Sequence, residues 1–152
     1  MRNVEELKLS RVRNPPHTND VREIEKLLGH QLPASYVQFL KTGNGGYPEV
    51  DTIDGPDGKR WAINNFFFVD SETDSTDSIS WNCLNGSQLF VNSALLPIGR
   101  DAFGNIFLIN LKTDSYGAVL VWVHDEPDSP LTKLCTSFDQ FIQELKLNPD
   151  YI

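Results

Sequence analysis

Lysine and arginine are absent from the whole stretch between Arg60 and Arg100. The chain carries a formal net charge of −8. A protein that grips phosphates needs clustered cations, so this balance speaks against a nucleic-acid binder and for a basic partner. Cysteine is equally scarce. Cys83 and Cys135 are the only two, far apart and in no CxxC pair. That excludes a disulfide-stapled scaffold and leaves two buried free thiols as the expectation. No apolar run approaches the roughly 20 residues of a membrane-spanning helix. The start, "MRNVEELKLSRVRN", is charged and lacks the apolar centre of a signal peptide, so a cytoplasmic location without membrane attachment is expected. His17, His30 and His124 show no HxxxH or HExxH spacing, and no GxSxG elbow, phosphate loop or GxGxxG turn is present.

What the chain does hold in excess is acid, unevenly placed. Seven of the thirteen basic residues fall within positions 1–41. The carboxylates gather in three later segments: Glu49, Asp51, Asp54 and Asp57; then Asp70, Glu72, Asp74 and Asp77; then Asp125, Glu126 and Asp128. One reading is a solvated surface that keeps the protein soluble; the other is a face for a cationic partner.

A length of 152 residues, 39 % of them apolar, fits one ordinary domain, and neither a repeat nor a linker divides it. In "HTNDVREIEKLLG", Val21, Ile24, Leu27 and Leu28 form one helical stripe, with Asp20 and Glu23 spaced as a capping box and Gly29 as the stop. A second helix is expected to open with Pro33 as its first residue, to line one face with Tyr36, Val37 and Leu40, and to end at Gly43. Asn44, Gly45 and Gly46 then permit a sharp reversal into a sheet. "RWAINNFFFVD" reads as one aromatic strand, "SETDSTDS" as a polar loop and "ISWNCLNGSQLF" as a short helix. "ALLPIG", "NIFLINL" and "GAVLVWVH" read as an antiparallel meander. A last helix is capped by Ser137 with Gln140, and presents Phe138, Phe141, Ile142 and Leu145 on one side. The expected class is α+β: a mainly antiparallel sheet with an N-terminal helical hairpin and a C-terminal helix packed on it.

Two stretches resemble ligand sites on paper. "GNGG" lacks the Lys and Ser/Thr of a phosphate loop and follows a helix, at the wrong end of its dipole for an anion. It is expected to be a turn. His124, Asp125 and Glu126 stand consecutively on what reads as a strand, where neighbouring side chains diverge, so no metal is expected there.

Three blocks together resemble the SUKH superfamily, the Smi/Knr-type domain. They are "IEKLLGHQLPASYVQFLKTGNGG"; "LLPIGRDAFGNIFLINL" with "VLVWVHDE"; and "TSFDQFIQEL". The likeness is strongest over 20–145, and the length and wording are similar to a bacterial YobK-like member. The β-turn of the second block departs from many relatives by carrying Ala102 and Phe103, and no function is read into it; the stretch 71–88 matches no part of the pattern. The resemblance implies a single SUKH-like domain over 1–152 whose signature residues Gly29, Leu32, Pro33, Tyr36, Leu40, Gly45, Gly46 and Trp122 build the fold. It implies an immunity protein, not an enzyme, with no cofactor, which neutralises a cognate polymorphic toxin, often a nuclease. Asp51, Asp54, Asp70, Glu72, Asp74, Asp77, Asp125 and Glu126 are the candidates for meeting a basic toxin domain. A regulatory scaffold and a small hydrolase acting in a cleft below the acidic segments are the alternatives.

Overall fold

The computed structural model describes residues 2–71 and 74–151. After a two-residue strand β1 (Leu9–Ser10), helix α1 (Thr18–Leu28) follows directly on Pro15 and Pro16. It begins earlier than the Asp20 cap predicts. His17 holds the cap position in extended backbone without a side-chain cap bond, and Asp20 sits inside the first turn. There its charge still favours the positive end of the helix dipole. Ile24 and Leu28 are buried. Glu25 reaches past the helix end, its carboxylate accepting the Leu32 N–H at 2.8 Å. This bond fixes the turn into helix α2 (Ala34–Thr42). Pro33 is the cap of α2, not its first residue: its ψ of 141° is extended, and Val37 N–H donates to the Pro33 carbonyl at 3.0 Å.

The turn after α2 is a close crossing of backbones. Gly45 and Gly46 have φ of +78° and +105°. A Cβ on Gly45 would lie 2.9 Å from Phe68 Cβ, and one on Gly46 would lie 2.6 Å from the Ser10 carbonyl oxygen. Between them and the sheet, buried Asn44 acts as a piece of strand. Its Nδ2 donates to the carbonyls of Asn14 and Val69 at 2.9 and 2.8 Å, and its Oδ1 accepts the Val69 N–H at 2.8 Å. The glycine cluster therefore turns the chain and lets it pass under its neighbours.

Next come β2 (Tyr47–Pro48), which pairs with β1, and the hairpin of β3 (Thr52–Asp54) with β4 (Arg60–Ala62). The aromatic stretch after Arg60 is not one strand. The chain leaves the hairpin at Ile63 and joins the large sheet as β5 (Asn65–Phe66). Phe66, Phe67, Phe68 and Val69 are all buried, so the run fills the core on both sides and does not alternate. "ISWNCLNGSQLF" makes two short helices, α3 (Ile79–Asn85) and α4 (Gln88–Asn92), each opened by a serine whose side chain accepts a backbone N–H.

The meander is present as β6 (Leu95–Arg100), β7 (Ile106–Asn110) and β8 (Val119–Trp122), all antiparallel. It is widened at one edge by β5 and at the other by β9 (Leu131–Cys135), in the order β5-β6-β7-β8-β9. Helix α5 (Phe138–Glu144) closes the fold on this sheet. Ser137 Oγ accepts the Gln140 N–H at 3.1 Å, while Gln140 Oε1 reaches back to the Thr136 N–H, one residue beyond the usual box. Phe138 meets Tyr36 edge-on at 5.1 Å and Phe39 at 5.2 Å; Phe141 meets Phe107 at 5.9 Å. These contacts join α2, α5 and the sheet into one core. Trp122 packs edge-on against Phe90 of α4 at 5.4 Å.

Candidate partner-binding surface

The acidic segments separate in space by whether a cation has reached them. Asp54 is bonded to Lys146 Nζ at 2.5 Å and lies 3.7 Å from Arg60 Nε, while Arg60 also meets Asp150 at 3.3 Å. The Lys146 bond first, and the nearby Arg60 charge after it, hold the Asp54 carboxyl below its ordinary range. Asp70 pairs with Arg13 at 3.0 Å, and the Arg13 guanidinium lies over the Phe68 ring at 3.6 Å. Asp77 lies 3.5 Å from Arg100 and accepts from Asn65 Nδ2 at 3.1 Å. Asp51 is half-buried and accepts the Thr52 hydroxyl at 2.8 Å. Asp74 is exposed, and Glu72 lies outside the described residues. The cations that answer the basic-free stretch thus come from both sides of it in sequence, Arg13 and Arg100.

Asp125 and Glu126 differ. They sit in the exposed turn between β8 and β9, and among the described residues no cation lies within ion-pair distance of either. The strand expected to run through His124 ends at Trp122, so His124, Asp125 and Glu126 belong to this turn. Among the described residues no group of His, Cys, Asp and Glu could hold a metal ion.

This turn lines a cleft of about 800 Å³ together with β4 and the β6–β7 turn. Asp101, Asp125, Glu126 and Asp150 line it against Lys59 and Arg60. Lys59 stacks over the Trp61 ring at 4.8 Å, and the buried Trp61 Nε1 has no hydrogen-bond partner among the described residues. The described residues that line it include no serine, threonine or cysteine.

The β6–β7 turn is held by a set of side-chain hydrogen bonds. Buried Asp101 accepts the N–H groups of Phe103 and Asn105 on Oδ1 at 2.8 and 2.9 Å, and the Asn105 side-chain amide on Oδ2 at 2.8 Å. Asn105 Oδ1 in turn accepts the His124 N–H at 3.2 Å, which ties this turn to the one bearing Asp125. At its tip Phe103 is 80 % exposed. In the sequence Phe103 marks a departure from the family turn to which no function is given; the signal for its placement is an Asp at the first position with Gly104 and Asn105 behind it, the pattern of a side-chain-locked turn. Of the other aromatics the sequence offers as a partner contact, Trp61 and Phe67 are buried and Trp81 is half-buried.

A family model described as SUKH_6, SMI1-KNR4 cell-wall, matches residues 18–142. The chain belongs to this family. A comparison with individual proteins finds no match. The SUKH match runs from the first residue of α1 to Ile142 in α5, so it covers the helical hairpin, the glycine turn, the five-stranded sheet and the lining of the cleft except Asn148 and Asp150. The SUKH family comprises generally non-enzymatic immunity or regulatory proteins that bind partner proteins. Of the residues expected to build the fold, Leu32, Tyr36 and Leu40 are buried, Gly29 caps α1, and Gly45 and Gly46 make the close turn after α2. No helix among the described residues is long and apolar enough to cross a membrane.

Proposed function

We propose that this SUKH chain, acting as one domain in the cytoplasm, is an immunity protein that binds and neutralises a cognate polymorphic toxin with a basic domain, a nuclease such as an RNase. It does so without turnover and without a cofactor. The observation that carries the reading is the uncompensated acidic end of the cleft, Asp125 and Glu126, on a member of a partner-binding family. A nuclease domain presents cations to its phosphate substrate, and an acidic surface can occupy them in its place. Among the acidic candidates Asp125 and Glu126 are an adjacent exposed pair free to act on a partner's cations, whereas Asp54, Asp70 and Asp77 already share their charge with Lys146, Arg13 and Arg100.

The test is association rate against salt, with a basic nuclease toxin domain as the partner. Steered association reaches on the order of 10⁸–10⁹ M⁻¹s⁻¹ at low ionic strength. Asp125→Asn with Glu126→Gln should slow association several-fold at low salt and flatten its salt dependence, with the melting temperature unchanged. Equal rates for parent and variant at both salts would refute steering through this turn.

A regulatory scaffold is the second reading, and the words "cell-wall" in the description of the matching family favour it. The two part on one assay: an immunity protein restores growth to cells expressing the toxin, and a scaffold does not.

A further inference from the structure

An aromatic side chain that is four-fifths exposed is ordinarily free to move with its loop. Phe103 is not, because its own N–H and those behind it are bonded to the buried Asp101 carboxylate. A solvent-facing ring carried on a turn already held by hydrogen bonds leaves less backbone freedom to lose when a partner covers it, which suits an interface anchor. We propose that Phe103 is the apolar anchor of the partner contact, seated in an apolar pocket of a protein domain whose rim carries Lys or Arg opposite Asp125 and Glu126. This inference rests on the partner-binding reading above and names the chemistry of the face that meets it.

The shape and charge of the site select this occupant. Phe103 projects at the tip of a turn beside the cleft, so the complementary surface must be concave and large, as on a folded domain. A second copy of this chain is disfavoured by charge. In a two-fold contact centred on Phe103, the turns bearing Asp125 and Glu126 would be brought toward their own images. A basic rim turns the same carboxylates into favourable neighbours. The division of labour follows: the carboxylates set the rate of encounter, and the ring sets how long the complex lasts.

The experiment uses the full chain and the same basic toxin domain, with binding kinetics at two ionic strengths. Phe103→Ala should raise Kd by about 10- to 100-fold, almost wholly through faster dissociation and equally at both salts. Phe103→Leu should recover part of the loss. Because the ring is exposed, the melting temperature of both variants should match the parent, and Leu84→Ala, an exposed apolar residue on α3, should bind as the parent does. If the parent binds and Phe103→Ala dissociates at the parent's rate, the anchor is refuted while the immunity reading stands. A loss in Leu84→Ala alone, or a dimer of the free chain that Phe103→Ala abolishes, would likewise refute it. If the parent itself neither binds nor protects, the immunity reading fails and the anchor with it.

Discussion

Asn44 and Gly46 show how single residues set the path of this chain. Asn44 spends both ends of its amide on backbone that no strand pairs, joining Val69 and Asn14 across the turn. Asn44→Ala would leave a buried N–H and carbonyls unsatisfied, at a cost of about 1–3 kcal/mol. Gly46→Val meets two obstacles together, a φ of +105° and the Ser10 carbonyl 2.6 Å from the new Cβ. It should lose about 1–3 kcal/mol. Urea unfolding of both variants checks this, and a Gly46→Val protein of parental stability that no longer protects cells would overturn the structural role of the turn. At this scale the sequence was informative about glycine, whose allowed φ is a property of the residue itself. It was silent about Asn44, because the groups that residue satisfies are 25 and 30 positions away.

Elements were legible where local bonds define them. The Ser137 cap is an example, since donor and acceptor lie three residues apart. Ser137→Ala should cost about 1 kcal/mol by freeing the Gln140 N–H, whereas Ser137→Asp should be near neutral. Thermal melting of the pair tests the cap, and equal loss in both would show that the hydroxyl acts otherwise. Elements defined by remote partners were harder to read. The stretch from Arg60 to Asp70 has the aromatic content of one strand. Yet Arg60–Ala62 pairs with Thr52–Asp54, and Asn65–Phe66 pairs with Arg100 and Gly99. Strand β9, Leu131–Cys135, was missed altogether. It is an edge strand with exposed Lys133 and mixed burial, so its apolar pattern is weak until Val119–Trp122 lies beside it.

Across the whole molecule the two thiols offer a reporter of packing. Burial pushes Cys83 and Cys135 up to about 12 from an ordinary 9.0, which keeps both in the unreactive thiol form. Neither should react with a thiol reagent at about pH 8 until the protein unfolds; prompt modification of the native protein would contradict their burial. The sign of the pH effect follows from the direction of the shift. The folded state holds its thiol protons more tightly, so this part of the stability is complete below about 9 and is lost as pH rises toward about 12. Alanine at both positions should flatten that alkaline decline.

The sequence by itself determined the class of fold, the two helices of the hairpin, the central meander, the capped closing helix and the family. Each of these is written in spacing along the chain: periodicity, caps, and glycine at turns. Tertiary structure alone decided which acids remain uncompensated. Asp54 and Lys146, Asp70 and Arg13, and Asp77 and Arg100 are far apart in the chain, so a stretch without cations was not a surface without them. It also decided that Phe103, one of nine phenylalanines, is the one held out to solvent among those described. Burial is settled by what packs from elsewhere, and an exposed ring on a locked turn leaves no mark in the local pattern of residues.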